Sequence, residues 1–210
     1  MTPNTEYRKA ARYLAERDPV LRRIIEQVGP CQLRRSSNFF LTLLEAIVWQ
    51  QLSWKAALTI HERLLRTIGA PRPTPADVLR TPVNDMRAAG LSRAKSGYLH
   101  DLSARFEDGR FPRRRIRLLS DGDVIARLCE IKGIGRWTAD MFLMFGLNRL
   151  DVFPAGDVGL RNALAKRYRL RNASNMKLLE AISRRWRPYR TIASWYVWAS
   201  SDGMPFEDDS

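Results

Sequence analysis

The chain has 210 residues, 45% apolar and 28% charged, which suits one globular domain or two small lobes sharing a core and excludes a disordered protein. Lys and Arg outnumber Asp and Glu by 36 to 22, an excess of +14 spread as +8 over 1–105 and +6 over 106–210. A folded basic surface of this kind points to a polyanionic partner, nucleic acid ahead of an anionic membrane, although 30 of the 36 being Arg also fits a generally basic proteome.

Helical periodicity runs through almost the whole chain. Tyr7, Ala10, Ala11 and Leu14 lie on one face of a helix over 6–16. Asp18 caps a second helix with Pro19 in its first turn, Leu21, Ile24, Ile25 and Val28 inward, and Gly29 as its stop. Asn38 opens a third, whose Phe39, Phe40, Leu43, Leu44, Ile47 and Val48 form a strongly apolar stripe. Ser53 recaps the chain for a helix running to Gly69. Pro71, Pro73 and Pro75 then predict a rigid surface crossing between lobes. Short helices are expected at 75–80 and 83–89, and a longer one from Ser92 to Asp108-Gly109 with Ala94, Tyr98, Leu99, Leu102 and Phe106 inward. Ser120 or Asp121 caps the next, to Cys129; further helices are expected at 136–145, 157–168, 174–186 and 188–201. No segment alternates with a period of two, so the fold class is all-α. No apolar run approaches the ~20 residues of a membrane helix, and Met1–Arg12 lacks an apolar signal segment, so neither spanning nor secretion is expected. Cys31 and Cys129 cannot build an all-cysteine zinc site or an iron–sulfur cluster and read as reduced, buried thiols. His61 and His100 lack partners at metal spacing, so no metal on side chains is expected.

Leu128–Phe142 (LCEIKGIGRWTADMF) joins two helices through a tight turn with Gly133 and Gly135 on either side of Ile134. Glycine admits positive φ and close backbone approach. The second helix presents its free N–H groups at the turn, beside Lys132 and Arg136, and such an end holds a phosphate without side-chain charge. From Gly-x-Gly alone, a plain helix–helix connection with a glycine stop is the favoured reading.

The surroundings add to it. Glu45–Ser53 (EAIVWQQLS) followed by Ala56-Ala57, Gly90–Leu99 (GLSRAKSGYL), the Leu128–Phe142 hairpin, Val152–Arg161 (VFPAGDVGLR) and Trp186–Arg190 before Trp195–Trp198 occur in an order that resembles the helix-hairpin-helix (HhH-GPD) DNA glycosylase superfamily, in particular its AlkA-like 3-methyladenine DNA glycosylase II branch. The resemblance implies two helical lobes with the active-site cleft between them. It also implies N-terminal helices over 1–37 packing on a glycosylase body at 38–203, a hairpin at about 123–146 and an acidic tail at 204–210. The N-terminal sheet domain of longer members is not expected, because 1–37 reads as helical.

By the same resemblance Asp157, 22 residues past Gly135, is the catalytic carboxylate. Its chemistry can be argued directly: cleaving an N-glycosidic bond develops oxocarbenium-like charge on the sugar, which a carboxylate opposes while orienting the attacking water. As a residue alone, Asp157 could equally be a helix N-cap. Trp137 and Trp198 are expected around the extruded base, with Trp49, Tyr189 and Trp195 as weaker candidates. Trp137 also stands where strand-nicking members carry a Schiff-base Lys, which predicts a monofunctional enzyme. Gln51 or Leu52 fills the space left by the base, and Gln50 contacts the opposite strand. Lys132, Gly133, Ile134, Gly135, Arg136 and Thr138 take the DNA backbone. The family's hairpin leaves room for a Na+ or K+ on backbone carbonyls near Cys129, Ile131 and Ile134; no other cofactor is expected. The expected partner is double-stranded DNA containing damaged bases, bound by a monomer with no protein partner, in a bacterial or archaeal cytoplasm or a eukaryotic nucleus. Two other readings stand beside alkylation repair: a non-enzymatic DNA-binding module, and a glycosylase for oxidised or deaminated purines.

Overall fold

Helix boundaries in this protein follow its capping residues. The computed structural model describes residues 3–34 and 36–201, without the side chains of 3, 4 and 54; the segment 204–210 lies outside the described residues. In chain order the helices are α1 (Pro3–Arg17), α2 (Pro19–Val28), α3 (Phe39–Trp49), α4 (Trp54–Ile68), α5 (Pro75–Arg80) and α6 (Val83–Ala88). They continue as α7 (Arg93–Glu107), α8 (Asp121–Cys129), α9 (Arg136–Met141), α10 (Val158–Arg167), α11 (Met176–Arg184) and α12 (Arg190–Ala199). Among the described residues there is no strand, so the fold is all-α. Asp18, Asn38, Ser53, Ser92, Ser120 and Asp157 each accept a backbone N–H two or three residues on, which satisfies donors that a helix start leaves orphaned.

The helices divide into two compact units. One spans Ser36–Leu147; the other combines the chain up to residue 35 with the chain from Asn148 onward. The chain therefore crosses at 35/36 and 147/148, and the expected crossing at Pro71–Pro75 is not one. That stretch lies inside the first unit with Pro73 buried. Thr74 and Asp77 form a reciprocal capping box there and start α5, which packs on α7. A proline-rich connection looks the same locally whether or not it joins two units.

The Ser36–Leu147 unit is built around α3, which is buried on nearly every side and packs against α4, α7 and α9. Leu43, Leu44 and Ile47 are fully enclosed, each contributing roughly 1.5–3 kcal/mol relative to exposure. Phe39 meets Phe142 edge-on at 5.1 Å, and Phe40 meets Phe106 at 5.3 Å. The single helix expected over 136–145 is instead α9 followed by a π-helical turn, Phe142–Gly146, in which Leu147 N–H reaches Phe142 O at 2.9 Å. The other unit is centred on α12, whose residues Thr191–Trp198 are all buried against α1, α2 and α10. The N-terminal helices thus share a core with the C-terminal part of the chain. Asp18, 1% exposed, caps α2 and also accepts from Tyr168 Oη at 2.8 Å and Trp186 Nε1 at 3.2 Å. Tyr168 is the C-cap of α10, so this buried carboxylate anchors the far end of the helix that Asp157 starts.

Candidate functional site

The Pro154–Gly156 loop enters α10 through Asp157, which has extended backbone angles (φ −75°, ψ 116°) and accepts Leu160 N–H on Oδ1 at 2.5 Å. The same Oδ1 accepts the indole N–H of Trp198 at 3.1 Å. Gly159 leaves the carboxylate its room: a Cβ there would stand 3.3 Å from Oδ1. Asp157 is half-buried, and the next residue, Val158, is 57% exposed. The capping and catalytic readings of Asp157 are therefore compatible in one geometry. Trp198 is only 1% exposed. Expected as an aromatic face against the base, it instead lies in the core with its ring nitrogen on the carboxylate. Trp195, at 5% exposed, is a core residue of α12. Tyr189, directly before α12, is half-buried and packs edge-on against Tyr13 at 5.2 Å.

In the Ser36–Leu147 unit the turn between α8 and α9 forms as the sequence indicates. Gly133 has φ +84°, and a Cβ there would fall 2.1 Å from the ring of Tyr98 on α7. Gly135, by contrast, has φ −101°, and a Cβ there would meet nothing. Ile131 and Ile134 are buried and seat the turn; Lys132, Gly135 and Arg136 are exposed. Arg136 Nε donates to Asp140 Oδ1 at 2.9 Å. The Asp140 carboxyl is almost fully enclosed, and burial pushes its pKa above the ordinary carboxylate value despite that guanidinium. Thr138 is buried, Trp137 half-buried, and Trp49, at the end of α3, buried.

The turn at 50–52 between α3 and α4 lies beside the hairpin within this unit. Gln51 adopts φ +58°, a left-handed conformation that costs a non-glycine residue on the order of 1 kcal/mol and marks a candidate functional tip. Both Gln51 and Leu52 are exposed. Gln50, expected to face the opposite DNA strand, turns inward: its Nε2 donates to Gly133 O at 2.8 Å and to Thr138 Oγ1 at 2.9 Å. A hollow of about 460 Å³ opens here, bordered by Gln50, Gln51, Lys95, Tyr98 and hairpin residues 131–135.

Lys95 is the residue that the sequence reading passed over. Its Nζ donates to Val48 O and to Gln50 O, each at 2.7 Å, at the C-terminal end of α3. Ala94, expected on the inner stripe of α7, is exposed, and the stripe begins with half-buried Lys95. The signal in the sequence is a Lys at i on the face that carries Tyr98 and Leu99 at i+3 and i+4. Cys129, expected buried, is exposed, while Cys31 is half-buried and burial pushes its thiol up to about 12. Among the described residues no cluster of His, Cys, Asp or Glu could hold a metal, and no helix is long and apolar enough to cross a membrane.

The family model described as the HhH-GPD superfamily base excision DNA repair protein matches residues 44–188. The chain is 34% identical over 202 residues to DNA-3-methyladenine glycosylase 1 of Schizosaccharomyces pombe, covering 94% of this chain and 89% of that one. It is 29% identical over 203 residues to an alkylbase DNA glycosidase-like protein of the same organism, covering 94% and 95%. The solved structure of a 3-methyladenine DNA glycosylase from that organism in complex with abasic DNA matches with a TM-score of 0.83 at 33% identity, over 95% of this chain and 100% of that one.

Proposed function

The chain belongs to the HhH-GPD superfamily of base excision DNA repair proteins, and from that premise we propose that it excises alkylated bases of the 3-methyladenine and 7-methylguanine type from duplex DNA. The reaction is hydrolysis of the N-glycosidic bond of a nucleotide turned out of the helix. The observation that carries this reading is Asp157, held at the start of α10 by Leu160 N–H and the Trp198 indole. As the base departs, positive charge grows on the deoxyribose; the carboxylate opposes it and orients the water that attacks the anomeric carbon. A cationic alkylated purine leaves as a neutral molecule, so its departure requires no proton from the enzyme. A neutral lesion would leave as an anion over a higher barrier.

Backbone N–H groups at the start of α9, with Lys132, take the phosphates, and Gln51 or Leu52 fills the vacated space in the duplex. Position 137 holds a tryptophan and offers no amine for a Schiff base, so the product is an abasic site in an uncut strand. Excision uses no cofactor. Carbonyls near Cys129 and Ile131, at the negative end of α8, and near Ile134, across the turn, would hold a Na+ or K+ bracing it; that of Ile131 already accepts Ile134 N–H at 3.0 Å and keeps a second lone pair. The protein acts as a monomer where chromosomal DNA is, in a bacterial or archaeal cytoplasm or a eukaryotic nucleus.

Single-turnover assays on duplexes carrying 7-methylguanine, hypoxanthine or 8-oxoguanine test the proposal. Release is expected fastest from 7-methylguanine, with strands breaking only after alkali. Asp157→Asn, which can keep the cap, is expected to slow release by about 10²–10³-fold with DNA affinity retained. Fastest release of 8-oxoguanine, or an unimpaired Asp157→Asn, would overturn the reading.

A further inference from the structure

We propose that Lys95 and Tyr98, one turn apart on α7, are positioning residues that hold the 50–52 tip in register with the hairpin, so that the element filling the DNA stack and the element gripping the phosphates act as one rigid tool. The inference rests on the DNA-binding reading above but assigns roles to residues that reading does not use.

Three contacts close a triangle. The Lys95 ammonium binds Val48 O and Gln50 O, carbonyls that the end of α3 leaves without helical partners, where the helix dipole favours a cation. Its tie ends one residue before the left-handed Gln51. Tyr98 lies against the bare Cα of Gly133, so the ring sets how near the hairpin comes to α7. Gln50 then bridges the two tips directly through Gly133 O and Thr138 Oγ1. The ammonium is half-buried, and burial lowers its pKa below the ordinary lysine value. An ammonium that served only solubility would remain in water, where it carries no such cost. Removing the tie releases the flanks that keep Gln51 in its unfavourable conformation, and the tip loses its fixed distance from the phosphate clamp.

A duplex that resists base extrusion will feel this loss; one that does not resist will feel it far less. The test compares a methylated purine paired normally with the same lesion opposite an abasic-site analogue, where pairing no longer opposes extrusion. Base release is measured in single turnover, and 2-aminopurine fluorescence beside the lesion follows extrusion whether or not release occurs. For Lys95→Met the ratio of paired to unpaired rates, or of the matching fluorescence amplitudes, is expected to fall about tenfold, with Lys95→Arg restoring part of it. Tyr98→Leu, which withdraws the ring from Gly133 and leaves Lys95 in place, should move the ratio in the same direction and serves if Lys95→Met does not fold. A general loss of structure would lower both rates together. An unchanged ratio in folded variants overturns the proposal. Extrusion without release by the wild-type protein would count against the excision reading and leave this inference decided by the fluorescence.

Discussion

At Asp157 one carboxylate oxygen carries two N–H donors from different helices, and the second of them defines what Trp198 does. Trp198→Phe removes the indole N–H and keeps most of the ring. A hydrogen bond to a charged acceptor is worth about 1.5–3 kcal/mol, and about 1.4 kcal/mol is tenfold in rate. Base release is therefore expected to slow by roughly tenfold or more, less than for Asp157→Asn, with affinity for undamaged DNA unchanged. Trp198 is 1% exposed, so the lost volume will also lower the unfolding temperature. Rates taken well below that temperature separate the two effects, and a wild-type rate there would show that the indole does not orient the carboxylate. The sequence named both residues; that the indole nitrogen lies on the carboxylate depends on how α12 packs against α10.

At the scale of elements, the two glycines of the hairpin look equivalent in the sequence and are not. Gly133→Ala meets a positive φ costing about 1–2 kcal/mol and a ring 2.1 Å from the new methyl, so the turn must move away from α7. On the proposed role of the turn as a clamp on DNA backbone and not bases, affinity is expected to drop about tenfold or more on damaged and undamaged duplexes alike. Gly135→Ala has an ordinary φ and open space, and should change the unfolding temperature little. Unfolding temperatures of the two variants check the contrast; equal shifts would mean that the Tyr98 contact does not shape the hairpin. The pattern also shows why Gly-x-Gly alone is a weak signal, since the half that matters is identified by α7.

For the whole molecule, an excess of +14 would attract DNA to any basic surface, and salt dependence tells a clamp from a diffuse field. Each phosphate neutralised contributes about −0.9 to the slope of log K against log salt. Lys132→Ala is expected to flatten that slope by about this amount. Arg136→Ala should flatten it less, because its guanidinium is already shared with buried Asp140, whose carboxylate then loses its cation. Arg12→Ala, exposed on α1, should leave the slope unchanged. Equal effects from all three would indicate attraction by net charge alone.

What the sequence determined by itself is what short-range physics controls. Asp18, Asn38, Ser53, Ser92 and Asp157 start helices because each cap is completed within three residues. The unbroken apolar face of Phe39–Trp49 could only be a core helix, and the order of the motifs around Gly133 and Asp157 was readable without any contact map. Tertiary structure decided the rest. It joined α1 and α2 to α12 across more than half the chain, moved the unit crossings away from the prolines, and turned Gln50 inward to the hairpin. It also brought Lys95 to the end of α3 and buried Trp198 against Asp157. Each of these depends on partners 40 residues or more away. A side chain's local pattern states what it can donate, accept or bury; which of these it does is set by the group that packing brings within reach.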